Sequence, residues 1–190
     1  MPTTRWVALL LALLLALTSC SGNDDDPADK SGPAGDSAAD PIATNAKVGK
    51  VKGKLSDAAA AAVLAEVSAV VDTWFDGAYA GDYPRSDFDG ALGDFTKDAK
   101  ALALKQSAIL SNADEGADLT GVEITQRVVR VDVLAPKGKV AGATVRFRLA
   151  MNLSGAAERT DEVAGRLLLT PTKAGWKVFG FDVRRGEEGS

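Results

Sequence analysis

The chain has 190 residues, a net charge of −4 and no histidine, and its one cysteine is Cys20. Without histidine it lacks the commonest general base and the commonest neutral metal ligand, which excludes imidazole-based catalytic dyads and triads and His/Cys zinc sites. About 170 residues remain beyond Cys20, which predicts one domain, and no catalytic residue, metal-ligand set or cofactor is identified in them.

Arg5 precedes a continuous apolar run, Trp6 to Leu17, and the small residues Thr18 and Ser19 lead into Cys20. Charged, apolar and small regions in that order read as a secretory signal. The run is too short to span a membrane, which takes roughly 20 residues. Leu17-Thr18-Ser19-Cys20 resembles the bacterial lipobox. That resemblance implies a signal peptide over residues 1–19 and a diacylglyceryl group on the Cys20 thiol, the mature N-terminus. A lone cysteine in a secreted chain calls for an explanation. Lipidation supplies one, and two acyl chains anchor stably where one is marginal.

Residues 20–54 are expected to be the lipidated cysteine and a flexible tether, since Ser21 to Ala46 is rich in Asp, Pro, Gly, Ser and Ala without a hydrophobic period. Such a segment spans roughly 30 Å. Asn23-Asp24-Asp25-Asp26 lacks the spacing of a calcium loop and its terminal glutamate. Lys47, Lys50, Lys52 and Lys54 read as a solvated linker, with contact to anionic headgroups as the alternative.

A domain over residues 55–186 follows, with 187–190 as a tail. Ser56 and Asp57 are helix-capping types, and Val63, Val67, Val70, Trp74 and Ala78 recur at helical spacing, widened by Val71, Phe75 and Tyr79. Gly81-Asp82-Tyr83-Pro84 ends this helix. A short turn over Asp87 to Gly93 precedes a second helix, Lys97 to Ser111, capped by Thr96, with Leu102, Ile109 and Leu110 inward and Asn112 as C-cap. From Gly121 the period becomes two. A three-residue turn at Lys137 to Lys139 pairs Phe147 with Val129 and Arg146 with Arg130, placing the apolar residues of both strands on one face and Asp132 diagonal to Arg146 on the other. A third strand, Thr160 to Thr170, turns Leu167 and Leu169 inward, and a fourth, Gly175 to Arg184, turns Phe179, Phe181 and Val183 inward.

Helices first and antiparallel strands after them predict an α+β fold, with two to three N-terminal helices on a curved four-stranded antiparallel sheet. The Trp74-Phe75 helix and the closing strand Gly175 to Val183 resemble the nuclear-transport-factor-2-like (cystatin-like) superfamily, in versions found in lipoproteins of high-GC Gram-positive bacteria (actinobacterial). The resemblance covers about Ser56 to Arg185, and implies a cone whose concavity the helices fill. Ketosteroid-isomerase-like chemistry within that superfamily would need a tyrosine and aspartates in the cone, for which Tyr79, Tyr83, Asp132 and Asp182 are the nearest candidates. The register turns both aspartates outward.

Two surfaces remain. Trp74, Tyr79, Phe147, Met151, Phe179 and Phe181 form either core or an apolar pocket between the first helix and the sheet. Pairing Leu169 with Lys177 would place Trp176, Leu168 and Val178 outward near Arg146, Arg148 and Arg166, the composition of an interaction hot spot or of an ordinary amphipathic sheet face. The charge is also divided: residues 55–119 hold twelve acidic and four basic side chains, residues 120–190 eight acidic and twelve basic. That is too mild for nucleic acid. The expectation is a non-catalytic binding or accessory module of the cell envelope. It would be anchored by lipid to the outer leaflet of the cytoplasmic membrane, with an envelope protein as partner. The alternative is a carrier, or an enzyme, for an apolar small molecule or lipid.

Overall fold

Ser56 opens the longest helix by accepting a hydrogen bond from the Ala59 amide at 3.2 Å, and α1 (Asp57–Ala78) runs from there for 22 residues. Its Val63, Val67, Val70, Val71, Trp74, Phe75 and Ala78 are buried, as the spacing predicts. By length and composition alone α1 could cross a membrane, but its apolar stripe is covered by a sheet. The computed structural model describes residues 42–156 and 158–187. Leu17, Thr18, Ser19, Cys20, the chain up to residue 41 and the last three residues lie outside the described residues.

The sheet corrects the sequence-based expectation. It has five strands, not four, and it is mixed, with order β1-β2-β3-β4-β5. The extra strand is β1 (Asn45–Gly53), drawn from the stretch expected to be tether. It pairs in parallel with β2 (Leu119–Ala135), Ala46 opposite Val129 and Val51 opposite Val133. A parallel pair needs a long crossover, and α1 with the segments after it provides one. Ala46 and Val51 alternate toward the core while the lysines point away, a period of two that is interrupted by a bulge between Val48 and Val51. At that bulge a Cβ on Gly49 would come within 2.1 Å of Asp132 Oδ1, and the same carboxylate accepts from the Lys50 amide at 2.8 Å. Dense lysine together with the bulge disguises this strand as a linker.

β3 (Gly142–Gly155), β4 (Arg159–Thr172) and β5 (Gly175–Glu187) continue the sheet antiparallel. The pairing of Val129 with Phe147 and of Arg130 with Arg146 is as the turn length predicts. The helical part also departs from expectation. Thr96 caps α2 (Lys97–Ala103), but the helix stops after seven residues, passes through a 3₁₀ turn and resumes for one turn at Ser107–Leu110. Leu102 is 48 % exposed, and Ala99 and Ala103 take the inner positions. One long helix, one short one and these turns therefore cover the inner face. At the far edge, Asp94 and Thr96 exchange backbone hydrogen bonds with Val178 at 2.8 Å, so that β5 does not present a fully open edge there.

Candidate functional site

Four of the six residues expected to line an apolar pocket are packed in the core. Trp74, Tyr79, Phe147 and Met151 are 5 % exposed or less. The Trp74 and Phe147 rings meet edge to face at 5.1 Å and 88°, and Phe75 closes on Phe147 at 5.7 Å. Trp74 Nε1 donates to the Leu110 carbonyl at 3.0 Å, and Tyr79 Oη donates to that of Ile109 at 2.7 Å. Buried polar atoms need such partners, and these two carbonyls come from the irregular turn after α2. Phe181 is partly buried against the core, 6.2 Å from the Phe95 ring. Phe179 is not in the interior at all; it is 52 % exposed on the opposite face.

The four acid–base candidates do not converge. Burial pushes the Tyr79 hydroxyl well above its ordinary value, with Arg185 opposing and Tyr83 adding to it. Tyr83 Oη donates to the Tyr79 carbonyl at 2.8 Å and accepts from Asn112 Nδ2 at 2.9 Å. Asn112, expected as a helix cap, is instead fully buried. Asp132 and Asp182 lie on the other side of the sheet, paired with Arg146 at 2.8 Å and Arg166 at 2.6 Å.

One charged cluster escaped the sequence reading. Arg185 and Asp161, both almost fully buried, join Arg159 and Glu115 at one end of the inner face. Arg185 Nε donates to Asp161 at 2.7 Å, Nη2 to Glu115 at 2.6 Å, and Nη1 to the carbonyls of Ala108 and Ser111 at 3.2 and 3.1 Å. Arg159 Nε donates to Asp161 at 2.7 Å and Nη2 to Glu115 at 2.8 Å. Burial alone would raise the Asp161 carboxyl, but hydrogen bonds from Arg159 and Arg185, helped by their charges, hold it below the usual carboxylate value. The hydrogen bond to Asp161 leads in raising Arg159. A cleft of about 380 Å³ adjoins the cluster. Because both guanidiniums are committed to carboxylates and carbonyls of the chain, this is a clamp holding the Ser107–Leu110 turn to β4 and β5. Its signal was available: Asp161 precedes Val163 by two, and Arg185 follows Val183 by two, in phase with the core.

The outer face differs from the expected one in which residues it carries. Arg146, Arg148, Arg166 and Leu168 stand there as expected, but Trp176 and Val178 do not; they are 6 % and 0 % exposed. The cause is a bulge in β5. Leu169 pairs with Val178 and Leu168 with Gly180, so Phe179 is the extra residue and the strand changes phase across it. Trp176 and Val178 therefore point inward before the bulge and Phe181 points inward after it. Trp176 Nε1 donates to Glu66 Oε2 at 2.9 Å. Phe179, Leu168 and Leu134 are exposed by 52, 37 and 44 %, and all three line a groove of about 530 Å³ whose rim includes Lys50, Lys52, Thr144 and Thr170.

Charge on this face is one-sided. In the register of the sheet, Lys47, Lys52, Arg130, Arg146, Arg148, Arg166 and Arg184 point outward against Glu123, Asp132, Glu162 and Asp182. Most of the arginines are paired: Arg148 meets Glu162 at 2.9 Å, and Arg184 approaches it at 3.7 Å. The lysines differ. Lys52, Lys54, Lys137, Lys139 and Lys173 are exposed at the sheet end that carries the β2–β3 and β4–β5 turns, next to the groove, and among the described residues none of them forms an ion pair. No group of three or more His, Cys, Asp or Glu able to hold a metal ion occurs among the described residues.

Comparison with protein-family profiles, with characterised proteins and with solved structures returned no match.

Proposed function

We propose that this protein is a membrane-tethered, non-catalytic binding module of the cell envelope. It is anchored through a diacylglyceryl group on Cys20 at the outer leaflet of the cytoplasmic membrane, and presents the outer face of its sheet to a partner. The observation that carries the reading is the contrast between a filled interior and the open groove bearing Phe179, Leu168 and Leu134. Exposed apolar side chains are ordinary singly, but grouped in a concavity with a polar rim they mark an interaction site. A carrier would need space between α1 and the sheet, where Trp74, Phe147 and Met151 are packed instead. An enzyme would need its acid and base together, and Tyr79 and Tyr83 are separated from Asp132 and Asp182 by the sheet.

The test places a photo-crosslinking residue at Phe179 and, as a control, at Leu104, which is 60 % exposed on the helical side. In the native envelope, adducts should form at position 179 and not at 104. Equal or absent labelling at both positions would defeat the reading.

A further inference from the structure

Resting on that reading, we propose that the occupant of the groove is the anionic membrane surface itself, so that the domain lies with its outer face down on the bilayer that carries its anchor. The groove pairs two chemistries that a bilayer interface also pairs. Phe179, Leu168 and Leu134 offer an apolar wedge. Around it, the lysines of the two turns and of β1 carry charge that no carboxylate of the described chain neutralises. Asp132 is the one carboxylate lining the groove, and it is occupied by Arg146 and the Lys50 amide. A protein partner recognised through salt bridges would more naturally meet arginines, whose planar fork gives directional pairing. Lysines on long stems around an apolar centre suit a diffuse anionic plane, keeping their ammonium groups at headgroup level.

The charge of the rest of the domain points the same way. Residues 55–119, which form α1, α2 and the turns on the inner side, hold twelve acidic and four basic side chains. Facing an anionic bilayer, the acidic helical side is repelled and the basic outer face attracted, so the field favours the same orientation as the apolar wedge. The anchor permits it. Cys20 stands 25 residues before Asn45, the first residue of β1, and such a length reaches up to roughly 80 Å fully extended.

The experiment uses the full chain with its own lipid anchor, reconstituted into vesicles of phosphatidylglycerol with phosphatidylcholine, and separately of phosphatidylcholine alone. Thr170→Cys, in the groove, carries an environment-sensitive dye. We expect blue-shifted emission on the anionic vesicles only, reversed by about 0.5 M salt, where the Debye length is only a few ångström. Combining Lys52→Glu, Lys139→Glu and Lys173→Glu should reduce the docked fraction by roughly tenfold or more; all three positions are exposed, so the fold should tolerate them. Identical emission on both kinds of vesicle, or a shift indifferent to salt and to charge reversal, overturns the proposal. If vesicles leave the dye unchanged while the crosslinker at Phe179 still captures an envelope protein, lipid docking fails and the binding-module reading stands. If both are silent, both fail.

Discussion

The inner and outer faces of the sheet are made from the same kinds of residue, aromatic rings and arginine–carboxylate pairs, and they use them in opposite ways. On the inner face, Arg185 and Asp161 have side chains only 8 % and 4 % exposed, so each charge depends on its partner to offset lost hydration. On the outer face, Arg166 and Asp182 are 58 % and 71 % exposed, and water would serve either one nearly as well. The aromatic rings divide likewise: Trp74 is sealed between Phe75, Tyr79, Phe95 and Phe147, whereas Phe179 covers an open groove. Residue type therefore says little about role here; the side of the sheet decides it, and one bulge in β5 decides the side.

The largest effect that would sharpen this contrast is Trp74→Ala. It removes the ring around which the inner aromatic cluster is packed and leaves the Leu110 carbonyl without its donor. Core truncations of this size cost about 3–5 kcal/mol, and denaturant unfolding should show a loss in that range. A loss below about 1 kcal/mol would mean that the interior is looser than the packing indicates, and would reopen the question of a pocket.

Next is Asp161→Asn, nearly isosteric, which leaves two guanidiniums facing a neutral amide. Breaking a buried pair from one side typically costs about 3–5 kcal/mol, and a loss toward the lower end is expected because Glu115 still holds both arginines. The pH dependence follows from the direction of the Asp161 shift. Its carboxyl is held below its ordinary value of 3.8, so the folded state binds this proton less readily than the unfolded state does. The stabilisation is complete above that value and is lost as pH falls through the lower folded one. Unfolding curves taken from about pH 5 down to pH 2 should show a steep acid loss in the parent chain and a shallower one in Asp161→Asn. Equal slopes would show that the clamp does not govern acid stability.

Much of the fold was legible where periodicity ran unbroken. The buried stripe of α1 and the β2–β3 register follow from spacing and turn length, because a one-residue slip would have inverted a whole face. What could not be read came from local irregularity. The bulge at Val48–Val51 hid β1 behind its lysines, and the break after Ala103 turned a long helix into a short one with Leu102 outside. The bulge at Phe179 exchanged the inward and outward members of β5, so Phe179 rather than Trp176 stands beside Leu168 on the outer face. Sequence periodicity carries no marker for an inserted residue, and Phe179-Gly180-Phe181 satisfies a period of two as well as Trp176-Lys177-Val178 does. The Arg185–Asp161 clamp was missed for another reason: charged residues in phase with a core were not considered as core.

Trp176→Phe tests that phase directly. Buried as it is, the indole contributes its packing and the hydrogen bond to Glu66, and the change should cost about 1–2 kcal/mol in thermal or denaturant unfolding. Were the strand unbulged and Trp176 outward, the cost would be close to zero.

The smallest effect belongs to Phe179→Ser. With half of the ring already in solvent, little apolar burial is lost, and surface changes of this kind stay within about 0.5 kcal/mol. A melting temperature like that of the parent, together with lost crosslinking or lost vesicle docking, would separate function from stability at one residue. That separation is the signature of a binding position, since a side chain kept for packing cannot be removed without weakening the fold. A Phe179→Ser protein destabilised by 2 kcal/mol or more would place the ring in a packed environment and return the outer face to the status of ordinary sheet surface.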